Sequence, residues 1–562
     1  MAIDLPPVMP PVNASVAQVQ AAKSASATVV EADVNGTTVR VYGNEYLSDS
    51  DLRELLASAK TPAEAVIGLA KRYYQDGHLL MKVDYARMLD SVAIIVKQLK
   101  LNEVTGAEEM QPYFAGLSGD ADLSIAEFHR AKVLADLRSR RAGYDYDISY
   151  VEQGDDAVDI QLSRKAIENH DATEIIVEAN NKGSRFLGRY FGLVGVKHKF
   201  ESGTQASVSY QTAFTDLGES RDGEELNQVS ISVDHPFASG LYGIDINYVD
   251  YLREPMQAQI VSPGGCAIPI LNLGCTQPQI GMVSTELDAE ILQASLRGEQ
   301  VLYSTPWQQF SLTERIEFID STIDQEGRSE KLLDENYQVV ELGGRYTLNR
   351  FQSEEQNAAR LNASLKLRAG FGDGGTLDRF DEFRAAYQQQ NPGQPVPDIV
   401  APARTAEFIA LLPSLSYEQR ISDGVTMKTT ARGQFADEQL PQQQQFVLGG
   451  MDSMSAYLPG VLIGDEGYHL KVSLNKAIKA AEGLKLTPSL FAEYGGSWYN
   501  NTNSDFGDEQ ALADAGLRLK LEYGDFLYSE LVAAKSIYDD VVNDDFIEEL
   551  EADFYWRLRL TF

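Results

Sequence analysis

Beyond Asp171 the chain alternates apolar and polar residues with a period of two and keeps that rhythm to its end. Leu361, Ala363, Leu365, Leu367, Ala369 and Phe371 interleave with Asn362, Ser364, Lys366, Arg368 and Gly370. A period of two puts successive side chains on opposite faces of a strand, so this segment has one oily face and one wet face. Ala511, Ala513, Ala515, Leu517, Leu519, Leu521 and Tyr523 repeat the pattern against Asp514, Arg518, Lys520 and Glu522. Ala552, Phe554, Trp556, Leu558, Leu560 and Phe562 do so again, opposed by Asp553, Tyr555, Arg557, Arg559 and Thr561.

About sixteen such segments lie between turn signals, an even number of the kind a single-chain outer-membrane barrel needs. They start near residues 173, 188, 205, 227, 241, 285, 308, 336, 358, 404, 425, 468, 485, 510, 526 and 547. Short links at 201–203, 239–240 and 423–424 alternate with long ones at 252–284, 372–403 and 441–467, as the two sides of a membrane require. Many segments reach the ~9–11 residues that cross a bilayer at a tilt, longer than the ~5–6 usual in soluble sandwiches or propellers. The expectation is a mainly β fold, with residues 172–562 forming a 16-stranded transmembrane β-barrel.

Ahead of the barrel the texture is mixed α+β. Thr38 to Tyr42 reads as a strand and Asp49 to Ala59 as a short helix. Thr61-Pro62-Ala63-Glu64 is a capping box with Pro at the first helical position. Val66, Leu69, Ala70 and Tyr73 share one face of the helix it starts, Gly77 ends that helix, and strands follow near Leu80 to Tyr85 and Ser91 to Leu99. The grammar recurs at Ser124-Ile125-Ala126-Glu127, with Ile125, Phe128 and Ala131 on the buried face. Gly143 is the stop, and strands follow at Asp145 to Val151 and Ala157 to Leu162. Two copies of one module are expected, at 37–101 and 102–167. Residues 1–36 read as a leader or linker with one weak helix over Val12 to Ser26.

Composition narrows the function. The 562 residues carry 48 Lys+Arg against 83 Asp+Glu, a net charge of −35 that repels phosphate backbones and argues against nucleic acid as a partner. At 43% hydrophobic residues, no run approaches the ~18 apolar residues of a membrane helix, whereas a barrel leaves bulk hydropathy ordinary. The 44 Gly, 27 Tyr and 22 Phe suit many strands with aromatic belts. Cys266 and Cys275 sit in SPGGCAIPILNLGC with no His or second Cys pair to complete a zinc site. They read as a loop disulfide or as two free thiols, and the first would place the loop in an oxidising compartment. The start MAIDLPPVMPPVNAS has neither a basic nor an apolar export region. The six histidines are scattered and no nucleophile elbow or phosphate-cradling loop occurs, so neither an enzyme, a cofactor nor a metal is expected.

Two small modules followed by sixteen strands ending in Phe562 resemble the two-partner secretion transporters of the hemolysin-activator and filamentous-hemagglutinin-transporter type, which are POTRA-bearing outer-membrane barrels. The most specific element is the run from Phe446 to Tyr457, holding Leu448, Gly449, Gly450, Asp452, Ser453, Ser455 and Tyr457, followed by Gly464, Asp465 and Gly467. In that family the corresponding loop folds back into the lumen, and its tip reads Val-Arg-Gly-Tyr or Val-Arg-Gly-Phe. The Arg there meets an acidic residue of a Phe-x-Asp-x-Gly segment on the wall. Here the wall segment is Phe491, Glu493 and Gly495, with Glu for Asp, while Ser455 stands at the Arg position and Ala456 at the Gly. A Ser–Glu hydrogen bond is weaker than a bidentate Arg–carboxylate contact, so either the loop is held less firmly or another residue supplies the charge.

The resemblance implies an outer-membrane pore of a Gram-negative bacterium that passes a secreted or surface polypeptide, captured unfolded by periplasmic POTRA domains. The gate would be loop 441–467, with the leader helix as a plug. Trp556, Leu558, Leu560 and Phe562 resemble the signal read by the barrel-insertion machinery, and lipid and lipopolysaccharide would surround the wall. The rival expectation is a divergent member that anchors or assembles a surface fibre or partner without secreting it.

Overall fold

The computed structural model describes residues 7–562 apart from 27–28, 184–187, 215–224, 254–255, 263–265, 269–272, 276–278, 285, 326–330, 332, 351–357, 373–388, 390–403, 501–507 and 543–546. The period-two segments close into one antiparallel barrel. Thr173–Asn180 pairs on one side with Tyr190–Lys199 and on the other with the last strand, Tyr555–Thr561. Of the seventeen runs in the ring, Glu466–Lys476 and Ile478–Ala481 both pair with Leu484–Trp498 and form one interrupted strand, so the barrel has sixteen.

Leu365, Leu367, Leu517, Leu519, Leu558 and Phe562 are exposed on the outer wall, while Glu178, Asp234, Glu317, Glu341 and Glu493 are buried on the inner one. This is the inside-out arrangement that lipid demands. Leu287–Ser304, Gln308–Gln325 and Leu333–Arg350 are each 18 residues long, more than the bilayer needs, so the wall projects beyond it.

The last strand opens at Tyr555, not near 547. Ile547, Leu550 and Ala552 are buried in a cluster with Leu458 and Val461, and the segment is tied there by Leu458 N to Leu550 O (2.7 Å) and Ala552 N to Ala456 O (2.8 Å). The alternation at Ala552 belongs to a turn folded inward, whose apolar residues serve a packing contact rather than a strand face.

The first N-terminal sheet runs in the order Val12–Asn13, Met81–Arg87, Ser91–Gln98, Thr37–Tyr42, Val29–Val34. Helices Asp49–Ser58 and Pro62–Gln75 bury Leu52, Leu56, Val66, Leu69 and Tyr73 against Val39, Val41, Val83 and Ile94. Thr61 Oγ1 accepts from Glu64 N, but the Glu64 carboxylate takes the Lys60 amide, closing the box one residue early. The second domain carries a three-stranded sheet, Lys100–Thr105, Ala157–Ala166 and Tyr144–Gln153, under the helix Ile125–Arg141. Both arms of the Ser124–Glu127 box are made there, and a four-residue helix, Gln111–Phe114, stands where the first domain has a longer one. These are two small α+β domains, consistent with the POTRA kind.

Two expectations shift. The first sheet reaches into residues 12–34, and the second domain's first strand opens at Lys100. The helix Val16–Ala25, capped by Ser15, buries Val19 against Tyr42, Ala86 and Ala93 of the first domain. It therefore lies outside the lumen and does not plug it. In the long link 252–284, two short antiparallel pairs form, and the register sets Cys266 opposite Cys275. The side chains of these cysteines, and nearly all of 373–403, lie outside the described residues.

The second domain docks on the barrel end that carries the short links. Arg141 Nη1 reaches Asp234 Oδ1 at 2.5 Å and Gly203 O at 3.2 Å, and the Tyr113 hydroxyl donates to Pro236 O. His129 Nδ1 lies 2.8 Å from Ser304 Oγ. Burial at this seam pushes the His129 imidazole down to about 4, with the Lys132 charge adding to the effect. The sign follows from linkage. The docked state binds fewer protons than a free imidazole of ~6.5, so the contact is fully favourable above about pH 6.5 and weakens as pH falls towards 4. The distance between spin labels on the second domain and the barrel is expected to broaden between pH 7.5 and pH 5 and to do so less in His129→Gln; an identical pH response in that variant would count against the assignment.

Candidate functional site

The run singled out in the sequence leaves the wall after Val425–Ala436 and folds into the barrel. Phe446–Leu448 and Leu462–Gly464 pair antiparallel, Phe446 against Gly464 and Leu448 against Leu462. Gln434 of the wall donates its side-chain amide to Gln444 O (2.8 Å) and Asp465 O (3.0 Å), fixing both legs of this hairpin. Asp465 accepts the amides of Leu440 and Asn500 at 2.8 and 3.0 Å. Gly449 adopts φ +107, and a Cβ there would stand 2.1 Å from Leu458 O, so the turn below the hairpin requires glycine. Met454 also takes a positive φ of 51, beside the point where the tip meets the wall.

Glu493, on Leu484–Trp498, receives that tip. Ser455 Oγ donates to Oε1 at 2.6 Å and Met454 N to Oε2 at 2.6 Å. Lys471 Nζ reaches Oε1 at 2.5 Å and His469 Nε2 lies 2.8 Å from Oε2. The next strand contributes Asp514 Oδ2, which accepts Ala456 N at 2.8 Å. Ser455, Asp514 and Met454 have no exposed surface and Glu493 only 2%. Arg518 donates to Met451 O at 3.0 Å, and the Lys471 ammonium sits 4.3 Å from the centre of the Phe491 ring.

The remaining expected residues fall around this clamp. Asp452 pairs with Lys182 at 2.8 Å, Ser453 Oγ donates to Gly449 O, and Tyr457 donates to Ser536 Oγ at 2.6 Å. Gly467 lets the Phe446 ring against the backbone, Gly464 lets in the Trp498 backbone, and Gly495 lies under Leu448 and Met454. Leu558 and Phe562 point outward, and Phe562 exchanges both backbone hydrogen bonds with Ile175 across the closing seam. Trp556 N donates to Asn181 Oδ1 at 2.6 Å.

The sequence reading missed Lys471, His469 and Asp514. The positive charge absent from position 455 is on the wall: Lys471 stands directly opposite Glu493 in strand register. An inward cation at every second position, His469-x-Lys471, was the available signal, but its partner is fixed only once the two strands are aligned.

Fold and lumen define a class, the outer-membrane barrel with a hairpin clamped inside it. Residues 345–521 match the family of haemolysin secretion/activation proteins ShlB/FhaC/HecB. The heme/hemopexin transporter protein HuxB of Haemophilus influenzae strain 86-028NP is 31% identical over 91 residues, 16% of each chain. That of strain KW20 is 26% identical over 135 residues, 23% of this chain and 24% of its own. The match thus spans at most about a quarter of the length of these curated relatives. The fold of CdiB from Escherichia coli superposes with a TM-score of 0.64 at 13% identity, over 99% of this chain and 94% of that one. CdiB from Acinetobacter baumannii gives 0.58 at 13%, over 95% and 90%. The match over residues 345–521, with the shared barrel fold, supports a transporter barrel of the two-partner secretion type, and together they indicate the outer membrane of a Gram-negative bacterium.

Proposed function

We propose that the barrel is a gated pore that carries one unfolded polypeptide across the outer membrane, with the hairpin 446–464 as its gate. The observation that carries this reading is the clamp at Glu493. A chain segment held inside a barrel by two buried carboxylates, which accept two of its backbone amides and a hydroxyl, with a wall lysine beside them, obstructs the lumen through contacts that are polar and therefore reversible. The N-terminal domains face the periplasm in this reading, since the second docks at the short-link end. They would capture the client by strand addition, to which the first sheet offers its end strand Val29–Val34. The periplasm lacks ATP, so the drive comes from the client folding outside, which removes the unfolded form from the exit. Lipid and lipopolysaccharide would contact the outer wall, and the terminal strand would be read by the insertion machinery.

The anchoring alternative drew its support from the missing loop Arg, and Lys471 supplies that charge from the wall. Deleting the gene is expected to remove one specific protein from the culture medium, and a plasmid copy to restore it. An unchanged medium with loss of a surface fibre would favour anchoring, and no change in either would sink both readings.

A further inference from the structure

We infer that the inner wall below the hairpin carries an oxyanion-binding site, built by Lys428, Lys520 and Ser489 with Lys471 and Arg518 at its margin. Strands 425–436, 466–476, 484–498 and 510–523 enclose a cavity of about 210 Å³ there, and all five side chains line it. Their charges do not cancel. Lys471 is spent on Glu493 at 2.5 Å, and Arg518 on Glu530 at 3.3 Å. Asp452, the acid on the cavity wall, is drawn off by Lys182 at 2.8 Å.

Lys428 and Lys520 remain. Glu530 stands opposite Lys520 in register, but its oxygens are held by Arg518, by Arg557 at 3.0 Å and by the Tyr528 hydroxyl at 2.8 Å. Glu418 stands opposite Lys428 without coming within ion-pair distance. Among the described residues neither lysine has a carboxylate partner. Ser489, between Asn475 and Arg518 in register, is 5% exposed, and its hydroxyl oxygen has no hydrogen-bond partner. Two ammonium groups without an ion pair and a buried idle hydroxyl around one void, beside Thr430, Ser473 and Asn475, form a surface rich in donors, which suits an acceptor carrying negative charge. A tetrahedral or planar oxyanion fits this set: phosphate, or the carboxylate of an acidic side chain. At ~30 Å³ per water, the void holds the anion with several waters. The site follows from the wall's own charges and stands whatever the barrel transports.

The test uses the full chain in detergent, with inorganic phosphate as the probe at constant ionic strength. Phosphate is expected to raise the melting temperature of the wild type saturably. Lys428→Gln/Lys520→Gln should weaken the apparent affinity by about tenfold or more, since a hydrogen bond to a charged group is worth ~1.5–3 kcal/mol and 1.4 kcal/mol is tenfold. Lys428→Arg/Lys520→Arg, which keeps the charge, should retain the response and guards against a folding defect. Equal responses in wild type and the Gln variant, or none in the wild type, would overturn the site. Competition by an oligo-glutamate peptide assigns the natural ligand to polypeptide carboxylates; phosphate binding without competition assigns it to the free ion.

Discussion

Glu493→Gln is expected to release the hairpin from the wall and turn a mostly closed barrel into a mostly open one. The carboxylate gathers the centre of the clamp: it accepts from the Ser455 hydroxyl, the Met454 amide, Lys471 and His469, while Asp514 holds only the Ala456 amide beside it. A glutamine has one acceptor oxygen for these donors and presents its own NH2 to the rest, while Lys471 keeps its charge in a site with little water. Removing one partner from a buried ion pair costs about 3–5 kcal/mol, a shift of roughly two to four orders of magnitude in the ratio of closed to open states. Single-channel recording in planar bilayers should show long open states replacing brief ones, and the hairpin should become cleavable by added protease. Lys471→Met/Glu493→Gln should recover part of the closure, because it leaves no stranded charge. Conductance in Glu493→Gln indistinguishable from wild type would remove Glu493 from the gate.

The barrel was legible because its constraint is local. A strand facing lipid on one side and water on the other must alternate, and the starts read near 173, 205, 308, 425 and 510 coincide with Thr173, Gln205, Gln308, Val425 and Gln510. Helix starts were legible for the same reason, since Ser124 and Glu127 act within one turn. What escaped were contacts made across the lumen. Ile547 and Leu550 are apolar to pack on a hairpin some ninety positions earlier, and nothing nearby in sequence distinguishes that from a strand face. Lys471 looks like any inward lysine until the register brings it to Glu493. The Ser455 to Glu493 contact could be posed only through resemblance, and resemblance also suggested a plug that Val19 rules out by packing on the first domain.

The second large effect concerns the joint between domain and barrel. Asp234→Asn is expected to undock the second domain while leaving the barrel folded. Asp234 ties Arg141 of the helix Ile125–Arg141 at 2.5 Å and Arg297 of the wall at 2.9 Å, and the Arg141 and Asp234 side chains are only 9% and 7% exposed. Arg297 keeps Asp245 at 3.0 Å, but Arg141 keeps only the Gly203 carbonyl. The stranded guanidinium can regain its hydration only if the helix lifts from the rim, which sets the direction of the change. Truncating one partner of such a pair costs about 2–5 kcal/mol, enough to make a docked and a lifted state comparable. Spin-label distances between helix and barrel should become bimodal, while heat-modifiable migration on a gel, which reports the closed barrel, stays as in wild type. Arg141→Met/Asp234→Asn should dock better than Asp234→Asn alone, since no unpaired charge is then buried. A double variant as open as the single one would place the coupling in the Tyr113 and His129 contacts instead.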